Sequence, residues 1–210
     1  MAPSGRTVDT PPIEIRVARQ DEAATLENML HLYLHDLSPF TGATIGDYGR
    51  FAYPRLPQYW TVEGDAEGRV PYIILAGGEM AGFALKSSHS CLGRSAPVSN
   101  VSEFFVLRRW RGQGVGSMAA RALFDRFAGP WEVAQLRTNA PAHAFWLQVI
   151  DDYTHHRFVE HDLKNERWNG FVQTFESPGG VPERSRGPGL GHQRTRISTS
   201  SLTGRVTRDR

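Results

Sequence analysis

Ile13, Ile15 and Val17 alternate with Glu14 and Arg16, the two-residue period of a half-buried strand. Leu26, Met29, Leu30, Tyr33, Leu34 and Leu37 then recur at helical spacing, behind Asp21 as a candidate N-cap. Ser38-Pro39 is expected to end that helix. From 39 to 60 the periodicity stops and aromatics crowd in: Phe40, Tyr48, Phe51, Tyr53, Tyr59 and Trp60, with Pro54 and Pro57. So long and aromatic a connection either packs over the core or walls a cleft. Two apolar runs, 71–76 and 81–87, flank Gly77-Gly78 and predict a hairpin. Strand 101–107 follows. The helix after it carries Val115, Met118, Ala119, Ala122, Leu123 and Phe127 on one face and stops at Gly129-Pro130. Then come strand 131–138 and a helix capped by Asn139, with Pro141 in its first turn and Phe145, Trp146, Val149 and Ile150 inward. Short strands 158–161 and 170–175 close the series. The order β-α-β-β-β-α-β-α-β-β predicts a mixed α/β fold, mostly antiparallel, with one parallel pair.

Composition divides the chain in three. Residues 1–12 read as a flexible lead, 13–176 as one domain and 177–210 as a disordered basic tail. In 177–210 seven arginines stand against Glu183 and Asp209, an excess of five positive charges. With +2 on the whole chain, the rest carries −3. The tail could meet nucleic acid, but the domain's acidity argues against a larger nucleic-acid surface. A single cysteine, Cys91, excludes an internal disulfide framework. No apolar run is long enough to span a bilayer and no secretory signal is visible, so a cytoplasmic protein with no membrane partner is expected, as a monomer or homodimer.

The candidate chemistry centres on Arg111-Gly112-Gln113-Gly114-Val115-Gly116, between a strand and a helix. Glycines bare the backbone, the helix start offers unpaired N–H groups, and an arginine flanks the turn: together a phosphate cradle. It lacks the Gly-Lys-Ser/Thr of a P-loop, and Ser117 stands where a dinucleotide fingerprint needs its third glycine.

Arg111-x-x-Gly114-x-Gly116 does resemble the Q/R-x-x-G-x-G/A acetyl-CoA loop of the GNAT superfamily of N-acetyltransferases. Phe104-Phe105-Val106 resembles the family's fourth strand. Asn139-x-x-Ala142-x-x-Phe145-Trp146 resembles its second cofactor segment, and the element order matches over about residues 13–175. The resemblance implies acetyl transfer from acetyl-CoA to a small-molecule or peptide amine, without a metal. It also implies that N–H groups of Gly112, Gln113, Gly114, Val115, Gly116 and Ser117 hold the pyrophosphate, with Arg111, Asn139, Phe145 and Trp146 as further contacts. Main-chain groups near Phe105, Val106 and Leu107 would bind the pantetheine arm where strands 101–107 and 131–138 splay.

Two catalytic positions depart from the family. Where many members carry a tyrosine as general acid, this chain has Trp146, and an indole N–H does not serve. Tyr153, a hydroxyl of the aromatic loop, or unaided departure of a thiolate would fill the gap. Gln135 lies near where some members carry a base. Glu103, an acid in an apolar strand, is the first candidate base, ahead of His35, His89 and His143. Asp36, Asp47 and Glu63 argue for a cationic acceptor. The competing readings are a non-catalytic acyl-CoA-binding module and an anion- or nucleic-acid-binding role for the tail. His155, His156 and His161 lack zinc-site spacing.

Overall fold

A computed structural model describes residues 11–180. Residues 1–10 of the N-terminal segment and 181–210 of the basic tail lie outside them. The elements are β1 (Ile13–Val17), α1 (Ala23–Thr41), α2 (Val62–Ala66), β2 (Val70–Ala76), β3 (Glu79–Ser87), β4 (Ser99–Val106), α3 (Val115–Phe124), β5 (Gly129–Leu136), α4 (Ala140–Thr154), β6 (Val159–Lys164) and β7 (Asn169–Ser177). The strands form one sheet in the order β1-β2-β3-β4-β5-β7-β6. Every neighbouring pair is antiparallel except β4–β5. The predicted fold class is observed, and the predicted element order holds apart from the short helix α2, which the sequence reading lacks.

Strand alternation splits the apolar residues between two cores. Tyr72, Ile74, Val106, Trp131 and Phe175 face α3 and α4, where Phe124 packs edge-on against Trp131 and Phe175 at 5.0 and 4.9 Å. Ile73, Phe83, Leu85 and Phe105 face Leu26, Met29 and Leu30 of α1 and the connection residue Tyr59. The aromatic connection thus packs on the core through Leu56 and Tyr59, and Phe40, Tyr53, Arg55, Gln58 and Tyr59 line a cleft.

The parallel pair shapes the molecule. β4 and β5 are joined only at Ser99↔Trp131, Asn100↔Glu132 and Val101↔Val133. Beyond that point β4 stays with β3 and β5 with β7, out to Leu136↔Gly170. A bulge falls at the fork: Leu85 faces Glu103 and Lys86 faces Val101, leaving Ser102 as the extra residue. Such an insertion bends a strand, here just where β4 leaves its partner.

Three local readings are corrected. Pro39 does not end α1, which runs on to Thr41 and closes on Gly42 at φ 69°. Proline removes the N–H that would bond the carbonyl of His35, and the Ser38 hydroxyl donates to that carbonyl instead, at 2.8 Å. The helix of Val115 ends at Phe124, with Phe127 in a following turn. The chain also stays packed past 176. Ser177 is buried, its Oγ donating to the Phe124 carbonyl at 2.9 Å, and the Gly180 N–H reaches Asp125.

Candidate active site

The fork between β4 and β5 opens into a cleft of about 1210 Å³. One end is the glycine turn. Gly112 and Gly114 sit at φ 71° and 79°, where a side chain is strained, and Gly114 is the N-cap of α3. No side chain caps that helix, so its first-turn N–H groups face outward beside Ser117, which lines the cleft. Gly116 keeps the wall close: a Cβ there would meet the Phe145 ring at 3.3 Å. The Gln113 side chain turns away from the cleft and donates to the Arg109 carbonyl. Val115 is fully buried, leaving only its main chain for a ligand.

On β4, Leu107 N–H donates to Ala81 O at 2.8 Å. Antiparallel pairing alternates, so Leu107 and Phe105 bond toward β3, and the main-chain groups of Phe104 and Val106 face the open fork. Of the expected trio Phe105, Val106 and Leu107, the backbone of Val106 is the one turned to the slot. Its carbonyl is taken by Arg111 Nε at 2.7 Å, which leaves its N–H. Across the slot, Asn139 caps α4 through the Ala142 N–H, as the sequence predicts. Phe145 and Trp146 stand at 5.0 Å, edge to face, and both ring Phe104. Trp146 is 6% exposed and packs in the core while bordering the cleft.

Arg111 is more committed than a free phosphate ligand would be. Its Nη2 meets Asp36 Oδ2 at 2.7 Å, Arg108 holds the other oxygen at 2.6 Å, and its guanidinium lies over Phe105. Burial alone would raise the Asp36 carboxyl; the two arginine hydrogen bonds outweigh it and hold it below its ordinary range. Asp36 therefore ties α1 to the glycine turn.

Glu103 occupies the cleft floor on the α1 face of the sheet. Tyr33 OH donates to Oε2 at 2.6 Å and Tyr53 OH to Oε1 at 2.9 Å. Burial pushes its carboxyl above the usual range, against the pull of both hydroxyls and of the Arg55 charge. Burial also raises both tyrosines, so they remain protonated donors. The sequence singled out Glu103 but not its partners, 70 and 50 residues away.

The other candidates lie elsewhere or are engaged. Tyr153 does not line the cleft; its hydroxyl donates to Asp125 at 2.8 Å and bonds Ser177, and burial raises its pKa to about 12. His143 stacks on Phe171 and bonds Glu160, and His35 is exposed beside Asp36. His89 and Gln135 do border the cleft, Gln135 through a buried amide that donates to Val133 O. Asp47 and Glu63 are not lining residues.

Comparison with known proteins bears on this arrangement. The sequence model of the Acetyltransferase (GNAT) family matches residues 28–149, from α1 to the middle of α4. The chain belongs to the GNAT acetyltransferase family. It is therefore an acetyl-CoA-dependent N-acetyltransferase. No curated protein matches the sequence significantly. Solved structures share the GNAT fold at low identity. Aminoglycoside acetyltransferase AAC(6')-Ib in complex with coenzyme A is 16% identical at a TM-score of 0.55, over 79% of this chain and 95% of that one. A ribosomal-protein-S5-alanine acetyltransferase from Vibrio fischeri is 14% identical at 0.54, over 81% and 96%. FdhC, a nucleotide-linked sugar GNAT, is 9% identical at 0.56, over 80% and 88%. Among the described residues no helix is long and apolar enough to cross a membrane.

Proposed function

We propose that this GNAT protein binds acetyl-CoA in the β4–β5 fork and that Glu103 accepts the proton of the attacking amine. The observation that carries this reading is Glu103 itself, an acid on the floor of the fork with both oxygens held by tyrosine hydroxyls. The residues around the fork fit the donor. The uncapped start of α3, behind two glycines at positive φ, suits a pyrophosphate. Val106 offers its N–H on the open edge, and Asn139 and Phe145 face it from α4.

Acetyl-CoA supplies an acetyl group activated as a thioester. The protein supplies orientation and a place for the proton. A primary amine is protonated near neutrality, at a pKa of about 10.4, so it must lose a proton to attack. Glu103 is poised for this: its raised carboxyl is a stronger base than an exposed glutamate, while Tyr33 and Tyr53 keep it ionisable and fixed. The nitrogen forms its bond to the acetyl carbon as the carbon–sulfur bond breaks, and the sulfur leaves with the electron pair. A thiol of pKa about 8.5 leaves acceptably as thiolate, so Trp146 in place of an acid is tolerable. Tyr153, held by Asp125 and Ser177, has no part in this scheme.

Glu103→Gln tests the reading. It keeps the shape and removes the base. Turnover with acetyl-CoA and an accepted amine should fall about 100-fold or more, the usual share of a general base. Calorimetric affinity for acetyl-CoA should stay within about twofold. Unchanged turnover would remove Glu103 from the mechanism.

A further inference from the structure

The lobe of the cleft beyond Glu103, away from the glycine turn, is the stretch beside the joined base of the fork. Its walls are Arg55 and Tyr59 of the aromatic connection, Arg69 before β2, Ser87 at the end of β3, and Asn100 and Ser102 on β4. The charges here are uneven. Three carboxylates line the whole cleft, Asp36, Glu67 and Glu103, and all are engaged. Asp36 holds two arginines, Glu67 meets Arg69 Nε at 2.7 Å, and Glu103 accepts from two tyrosines. Four arginines line the same cleft: Arg55, Arg69, Arg111 and Arg167. Arg55 makes no ion pair among the described residues.

A second observation is independent of charge. Tyr59 is 0% exposed and its hydroxyl makes no well-formed hydrogen bond, with Ser102 and Arg69 as polar neighbours, although the residue borders the lobe. The Arg69 guanidinium lies over its ring, 5.5 Å from the centroid. A buried hydroxyl without a well-formed hydrogen bond costs stability, and an acceptor oxygen from a ligand would relieve that cost. A guanidinium offers parallel donors that match the two oxygens of an anion.

We propose that the acceptor carries an anionic group beside its amine, a carboxylate or a phosphate, which Arg55 binds in this lobe with the Tyr59 hydroxyl as a further donor. The inference rests on the transfer reading above. It makes the substrate an amino-acid-like or aminoalkyl-phosphate-like molecule. A polycationic amine would instead bring its charges to a lobe with no free carboxylate. Arg55 stands two residues from Tyr53, whose hydroxyl donates to Glu103, so anion site and base share one part of the cleft. The acidic residues that argued for a cationic acceptor do not serve one: Asp47 and Glu63 lie off the cleft and Asp36 is bound by arginines.

The test uses matched acceptors with the full-length protein and acetyl-CoA. Amino acids are compared with their carboxamides, aminoalkyl phosphates with the corresponding amino alcohols, and a polyamine is included. The anionic member of a pair should show a kcat/KM about 10- to 100-fold higher, the scale of one charge-assisted contact. Which pair discriminates tells carboxylate from phosphate. Arg55→Gln should erase that ratio and leave acetyl-CoA affinity unchanged, and Tyr59→Phe should reduce it. Equal or better turnover of neutral amines or the polyamine overturns the inference, as does failure to acetylate any anionic amine by a protein that binds acetyl-CoA. Failure to bind acetyl-CoA at all marks a different error, bringing down the cofactor reading and the inference with it.

Discussion

The two ends of the cleft are built from different materials. The end proposed for the cofactor is main chain: the glycine turn, the start of α3 and the open edge of β4. The end proposed for the acceptor is side chain: Tyr33, Tyr53, Arg55, Tyr59 and Arg69, gathered around Glu103 from α1, the long connection and the residue before β2. Backbone recognition depends on conformation, so it leaves a compact trace of glycines and a cap. Side-chain recognition depends on groups brought together by folding, so it leaves scattered residues with no mutual spacing.

This contrast can be broken from either end. The largest effect belongs to the turn. Gly114→Val puts a β-branched residue at φ 79°, a strain of about 1–2 kcal/mol, and fills the cradle. Acetyl-CoA affinity should fall about 100-fold or more by calorimetry, a loss of roughly 2.7 kcal/mol. An unchanged affinity would mean that the main chain of the turn holds nothing.

Asp36 joins the two ends, and Asp36→Asn should sharpen the comparison. It weakens the hold on Arg108 and Arg111 without touching the turn. A loss of about 3- to 10-fold in acetyl-CoA affinity is expected, in line with a partly exposed ion-pair network. A full loss of binding would show that Arg111 placement, rather than the turn, governs the cofactor end.

The acceptor end answers to pH. Both tyrosine hydroxyls favour the ionised form of Glu103, so removing one raises its carboxyl further. The base is active only when deprotonated, so the acid limb of kcat/KM moves to higher pH. Tyr33→Phe should therefore lower kcat/KM severalfold on that limb and spare the plateau. A profile that does not move would separate Tyr33 from the base.

The smallest effect is a control on stability alone. Glu22 accepts from both Arg16 terminal nitrogens at 2.8 and 2.7 Å, and these bonds lower its carboxyl to about 2. Its stabilisation is present above the ordinary carboxylate pKa and is lost as pH falls toward 2. Glu22→Gln should cost about 1 kcal/mol in denaturant unfolding at neutral pH, with that gap closing in acid and transfer unaffected.

Much of this architecture is legible in the sequence because it is local. The element order, the hairpin at Gly77-Gly78, the Asn139 cap and the glycine turn each follow from a few adjacent residues. The failures share one cause, a partner distant along the chain or an unforeseen substitute. Pro39 looks like a stop until the Ser38 hydroxyl takes the carbonyl that it abandons. Ser177 reads as tail composition until it meets Phe124. Glu132 reads as a strand residue, yet its buried carboxylate pins 90–92 through the Ser90 hydroxyl and the Cys91 and Leu92 amides. Arg111 was legible as a residue of the turn, but its bond to Asp36 spans 75 positions.

The fork between β4 and β5 has one more consequence. Three paired positions hold its base, while β3 and β7 fix each arm along its length. The gap is thus set when the chain folds by two ladders, that of β3 and β4 bulged at the fork, not by a hinge that closes on a guest. Such a slot is preorganised. The ordering of its walls is complete before any ligand arrives, so binding spends little of its free energy on rearranging the backbone.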